Sequence, residues 1–153
     1  MKKLELKLPP VAVFLLVAVS MWLLARWTPG HDFHPVFRLA VIAVNMLAGA
    51  VFGVGALAGF RRSRTTVNPL EPHHANTLVT GGVYRFSRNP MYLALLWVLL
   101  AIGFALSNLY ALALALCFVP YMNRFQIEPE ERAMEALFGA DYRRYRARVR
   151  RWL

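Results

Sequence analysis

Between Asn89 and Asn123 the chain runs for 35 residues without one charged side chain. As a single helix that stretch would be about 50 Å long, well beyond the roughly 30 Å of hydrocarbon in a bilayer. It must therefore fold back. Ser107 and Asn108, both turn-forming residues, stand near its centre, so the spacing predicts a tight hairpin of two helices, Pro90 to Leu106 and Leu109 to about Phe125. Pro120 falls in the second arm, where it removes a backbone hydrogen bond and is expected to kink or loosen the helix.

Two more uncharged runs precede this one, Leu8 to Ala25 with 18 residues and Leu39 to Phe60 with 22, each close to the roughly 20 that a crossing helix needs. With 58% of residues hydrophobic, the chain reads as a membrane protein. The predicted fold class is all-α and polytopic: one domain over residues 1–153, with spans at about 8–27, 38–60, 90–106 and 109–125. A disordered tail and a two-domain soluble enzyme are excluded. A basic start, Met1 to Lys7, before an apolar stretch also suits a cleavable signal, but Trp22, Arg26 and Trp27 form an interfacial anchor and no small-x-small cleavage site precedes them. The single cysteine, Cys117, has no partner for an internal disulfide and is expected to pack as a small hydrophobe.

The net charge of +10 would suit a nucleic-acid partner if it were spread over one face, but it is confined to segments between the neutral runs, and no nucleic-acid partner is expected. The segment before the first span carries +2 (Lys2, Lys3, Lys7, Glu5), and the first loop +1 (Arg26, Arg38, Asp32). The second loop carries +4 (Arg61, Arg62, Arg64, Arg85, Arg88, Glu71), the hairpin turn none, and the tail eight arginines against five acids. The positive-inside rule then puts both ends and the second loop in the cytoplasm, in a bacterial inner membrane.

Span two has small residues at Gly49, Gly53, Ala56 and Gly59, with Asn45 a turn earlier. Such a face admits another helix closely, either within the monomer or from a second copy. In the tail, Met134, Leu137, Phe138, Tyr142, Tyr145, Val149 and Trp152 recur at three or four residues among six arginines, the pattern of an interfacial amphipathic helix. Pro129 suits a first helical turn with Glu130 and Glu131, and Gly139 followed by Asp141 suggests a break and a second cap.

Two constellations could carry chemistry. The first, Thr80-Gly-Gly-Val-Tyr-Arg-Phe-Ser-Arg-Asn-Pro-Met-Tyr92, enters span three. Its glycines allow close backbone approach, Pro90 opens a helix with free amide groups, and Arg85 and Arg88 add charge, which together make a seat for a carboxylate or phosphate. The same residues also suit a juxtamembrane segment of snorkelling arginines and belt aromatics. The second is Glu128-Pro-Glu-Glu131, comfortable as helix capping, yet placed opposite the Arg-rich loop where both signs of charge would meet one ligand. His31, Asp32 and His34 lie on the other side without a third ligand at metal spacing, so no metal site is expected. His73 and His74 in the basic loop are candidates for a base, against simple solvent exposure.

Taken in order, Leu78-Val-Thr-Gly-Gly-Val-Tyr-Arg-Phe-Ser-Arg-Asn-Pro-Met-Tyr-Leu93 and Glu130-Glu131 followed by Leu137-Phe-Gly-Ala-Asp-Tyr-Arg-Arg-Tyr145 resemble the isoprenylcysteine carboxyl methyltransferases and related phospholipid methyltransferases. The resemblance runs from about Thr65 to Trp152. Asn89 stands where many members carry histidine. The resemblance implies S-adenosylmethionine as methyl donor, bound on the cytoplasmic side in a region formed by residues 65–92 and 126–153. By carry-over Tyr84, Arg88, Asn89, Pro90 and Tyr92 form one wall and Glu130 and Glu131 the other. It also implies a lipophilic acceptor at the membrane interface, such as an isoprenylcysteine-like carboxylate or a phospholipid amine, and it names no catalytic base.

Three other classes compete. A four-span exporter of cations would want an intramembrane carboxylate, and none of the spans contains Asp or Glu. A sterol or isoprenoid reductase could hold NADPH phosphates in the Arg-rich loop. A non-enzymatic membrane protein is the third.

Overall fold

Four prolines open helices, the position where a missing N–H costs nothing and a fixed φ is already helical. Pro10 begins α1 (Pro10–Trp27), Pro35 begins α2 (Pro35–Ser63), Pro90 begins α3 (Pro90–Ala105), and Pro129 lies in the first turn of α6 (Glu128–Arg148). Between α3 and α6 stand α4 (Leu109–Leu116), the short α5 (Phe118–Met122) and a π-helical turn, Asn123–Ile127. A 3₁₀ turn, Gly82–Arg85, precedes α3. The computed structural model describes residues 5–63 and 77–153, and every regular element among them is helical. Helices α1 and α2 are long and apolar enough to cross a membrane.

The hairpin forms where the sequence predicts it. Ser107 takes a positive φ of 49°, and Asn108 caps α4 by accepting a hydrogen bond at Oδ1 from the Ala111 amide at 2.9 Å. The Asn108 amide also reaches Thr28 Oγ1 at 2.8 Å and the Pro29 carbonyl at 3.2 Å, while the Arg38 guanidinium donates to Ser107 Oγ at 2.8 Å. The α1–α2 loop, with His31, Asp32 and His34, is thereby clasped to this turn. It lies one length of α3, about 24 Å, from the residues that open that helix.

The second arm departs from the expectation of one helix over Leu109 to about Phe125. Its first helix ends at Leu116, and α5 begins after a turn at Cys117. Pro120 is the cause, since it has no N–H for the Leu116 carbonyl and its ring crowds that turn. Cys117 is exposed at this break and is not packed inside the core. The fully buried core is built from Met21, Leu99, Ala111, Ala115, Phe118, Met122 and Ile127, which join α1, α3, both pieces of the second arm and the π turn.

The small-residue face of α2 is spent within the monomer. A Cβ on Gly49 would lie 3.2 Å from Val98 Cγ2 and 3.3 Å from the Ala94 carbonyl oxygen, and one on Gly53 would lie 3.5 Å from Ala94. Further along the helix, a Cβ on Gly59 would meet Tyr84 at 3.3 Å, and one on Gly55, outside that face, would meet Val83 at 2.5 Å. These contacts run α2 antiparallel to α3 and bring its far end onto the 3₁₀ turn. Gly49→Leu should therefore pry α2 from α3 and cost about 1–3 kcal/mol, read as a lower thermal midpoint in detergent. An unchanged midpoint would mean that the two helices are not closely packed.

Candidate functional site

The two chemistry-bearing segments, about forty residues apart in sequence, converge on one place. The opening of α3 lies against the first turn of α6, and Arg88 Nη2 donates to Glu131 Oε1 at 2.7 Å with both side chains nine-tenths buried. The same guanidinium donates through Nη1 to the Arg146 carbonyl at 3.0 Å. Its Nε is buried without a partner. Arg88 and Glu131, expected on facing walls, thus touch one another. The reason is electrostatic: a buried guanidinium without a carboxylate would carry a desolvation cost that neither wall alone could offset.

Glu130 faces a different environment. It accepts a hydrogen bond from the Tyr92 hydroxyl and one from the Gln126 amide at 2.8 Å. Both donors are neutral. With its carboxylate turned in among protein atoms, burial raises its pKa from the ordinary 4.5 to about 7; the Tyr92 and Gln126 hydrogen bonds oppose this shift, and the Glu131 charge adds to it. The two neighbouring glutamates are therefore unlike, one clamped by cations and one held by neutral donors.

Tyrosines close the site. The Tyr145 hydroxyl donates to the Tyr84 carbonyl at 2.7 Å, and Tyr84 packs edge-on to Phe60 with ring centroids 5.6 Å apart. Burial raises the pKa values of Tyr84 and Tyr145, and that of Tyr142 to about 12, so all three are neutral phenols at neutral pH. Gly139 makes this possible: at φ 48° and ψ −116° it breaks α6, as the sequence suggests, and turns Tyr142 and Tyr145 inward. The apolar stripe read along the tail is thereby divided, with Leu137 left 42% exposed.

Of the residues expected in the site, Tyr84, Arg88, Asn89, Pro90, Tyr92, Glu130 and Glu131 are brought together. Arg85 is exposed and makes no part of it. His73 and His74, with residues 65–76 of the expected cofactor region, lie outside the described residues. Beside the Arg88–Glu131 pair is an open cleft of about 250 Å³ lined by Glu128, Glu131, Arg132, Glu135, Arg146 and Arg151. Among the described residues no group of His, Cys, Asp and Glu has a metal-binding arrangement.

Sequence reasoning missed Gln126, Asn123 and Arg151. Gln126 is placed by the π turn, whose extra residue shifts the register just before Glu128. Its spacing of four from Glu130 was the available signal. Asn123 accepts from the Trp152 indole at 2.9 Å, and Arg151 forks onto Glu131. Nothing local separates Arg151 from the other tail arginines.

Described residues whose regular elements are all helical, two of them of membrane length, with a mixed-charge site at the foot of a hairpin, define a class of membrane-associated proteins. Within that class, the family model described as phospholipid methyltransferase matches residues 38–141, more than half of the chain. The chain belongs to the phospholipid methyltransferase family, which makes it a methyltransferase acting on a membrane substrate. A Haemophilus influenzae protein described as "Uncharacterized protein" is 48% identical over 63 residues, 41% of this chain and 100% of that protein. No solved structure matches.

Proposed function

We propose that the protein transfers a methyl group from S-adenosylmethionine to a lipophilic acceptor at the membrane interface, with Tyr84, Arg88, Asn89, Pro90, Tyr92, Glu130 and Glu131 forming the donor site. The observation that carries this reading is the buried, unpartnered Nε of Arg88 beside a glutamate held only by neutral groups. A donor molecule with an amino-acid carboxylate, an ammonium and ribose hydroxyls offers an acceptor for the first and a cation for the second. The residues present therefore fit the group.

When bound, S-adenosylmethionine supplies an already activated methyl group on sulfur. The chain's task is then alignment and exclusion of water. Arg88 orients a carboxylate or hydroxyl through Nε, while Glu130 takes the positive end. Tyr84, Tyr142 and Tyr145 wall the site from water with neutral rings. A carboxylate acceptor needs no base, whereas an amine must lose a proton, and Glu130, committed to the positive end of the donor, is not assigned that role.

The membrane arrangement belongs to the same reading. The hairpin adds two spans to α1 and α2, one formed by α3 and the other by α4 and α5 together, both ends face the cytoplasm of a bacterial inner membrane, and α6 lies in the interface with its arginines toward anionic headgroups. The break that Pro120 makes between α4 and α5 loosens the wall on the way to the site and admits an acceptor sideways from lipid. An isoprenyl-type carboxylate is favoured over a phospholipid amine, because the basic surface would repel a methylated cationic product.

Isothermal titration of the protein in lipid nanodiscs with S-adenosylhomocysteine, and separately with NADPH, tests the reading. Saturable binding of S-adenosylhomocysteine alone is expected. Binding of NADPH alone would replace the methyltransferase site by a reductase site, and binding of neither would remove the donor assignment.

A further inference from the structure

The irregular segment after α6 returns across the site, and we propose that Arg151 within it is a positioning residue that sets Arg88 and Glu131 for the donor. This rests on the donor site proposed above. Arg151 lies beyond the residues matched by the family, yet it makes the most complete contact with Glu131. Its Nε donates to Oε1 at 3.1 Å and its Nη2 to Oε2 at 2.7 Å, a two-pronged geometry that fixes the plane of the carboxylate. Arg88 uses the same Oε1, so one carboxylate is shared between two guanidinium groups.

The backbone of this segment holds the other side of the site. The Arg150 carbonyl accepts the Arg88 N–H at 3.0 Å. The Arg151 carbonyl accepts from Asn89 Nδ2 at 3.0 Å and from Ser87 Oγ at 3.3 Å. The Trp152 indole then pins the segment to Asn123 in the π turn that carries Gln126. Three successive residues thus touch the loop before α3, the first turn of α6 and the π turn, the three pieces from which the proposed site is assembled.

The side chain of Arg151 is 29% exposed, three times as open as those it contacts. Its own charge reaches solvent, so its loss costs less than the loss of either buried partner, and its two-pronged contact acts mainly on orientation. With Arg151 in place, Glu131 has no rotamer freedom and Arg88 is drawn to one oxygen, which leaves Nε aimed at the ligand. Without it, Glu131 would swing to a symmetrical pair with Arg88 and redirect that guanidinium. Lysine would restore the charge as a point contact and leave the plane unset.

The test uses the full chain in nanodiscs as wild type, Arg151→Ala and Arg151→Lys. Three quantities are read: S-adenosylhomocysteine affinity, ligand-free thermal midpoint, and amide hydrogen exchange at Ser87–Asn89 without ligand. Arg151→Ala should weaken binding about 10- to 100-fold and speed exchange at Arg88, with the midpoint little changed, and Arg151→Lys should recover part of both. Unchanged affinity and exchange in Arg151→Ala would overturn the inference. So would a binding loss matched by a large fall in midpoint and not relieved by lysine, since that is a structural role. Absence of binding by the wild type is the separate result that removes the donor site and this inference with it.

Discussion

Glu130→Gln should weaken S-adenosylhomocysteine binding by roughly 30- to 1,000-fold, the range expected when one member of a desolvated charge pair is removed. The pH dependence makes the expectation sharper. Facing Glu130 are the Tyr92 hydroxyl, the Gln126 amide and Glu131, and the last is neutralised by Arg88 and Arg151. In the ligand-free protein Glu130 exchanges its proton near pH 7, and a ligand ammonium pairs with the ionised form. Below that pH, binding must expel a proton, and affinity should fall about tenfold per pH unit; above it, affinity should level off. Glu130→Gln should be weak and flat across the same range. A wild-type profile that is flat from pH 5.5 to 8 would end the assignment of Glu130 to the ligand's cation.

Stability without ligand should move the opposite way. A carboxyl whose folded pKa lies above its unfolded value favours the protonated fold. Its contribution is complete below about pH 4.5 and is lost as pH rises through about 7. Affinity and stability titrating in opposite senses over one window is hard to obtain from any surface group.

The sequence made the hairpin legible because a length limit is physical: 35 uncharged residues cannot be one span, and Ser107-Asn108 is the turn chemistry available. Gly139 was legible as a break because only glycine takes its backbone angles easily. Pro120 announced a defect in the second arm but not its form. The loss of one hydrogen bond is local, while its repair by a short helix and a π turn depends on how Phe118, Met122 and Ile127 reach the core.

The site was legible only through the family resemblance. Arg88 and Glu131 are each explained adequately by their own surroundings, as a snorkelling cation and a helix-start anion. Their meeting is a tertiary fact, 43 residues apart in sequence. Arg151 was hidden for a related reason: among six arginines between Arg143 and Arg151, only the break after Arg148 and the return of the chain onto Glu131 single it out.

Glu131 and Glu130 should respond to alanine in different currencies. Glu131→Ala leaves the Arg88 guanidinium, nine-tenths buried, facing Arg151 with no carboxylate between them. Breaking a buried pair from one side typically costs about 3–5 kcal/mol, so the thermal midpoint should drop by on the order of 10 °C and binding should fail with it. That loss alone would not distinguish a ligand site from a structural clamp. The double variant Arg88→Met, Glu131→Leu does. Replacing both charges by apolar groups of similar size removes the desolvation cost, while Arg151, being partly exposed, turns to water. Its midpoint should return most of the way to the wild-type value. Its affinity for S-adenosylhomocysteine should not return, because the Nε donor is gone and the neighbouring carboxylate no longer has a charged frame around it. If the double variant recovers stability and binding together, Arg88 and Glu131 are a fold clamp and the ligand site lies elsewhere. If it recovers only stability, the pair is held in the interior for what it binds.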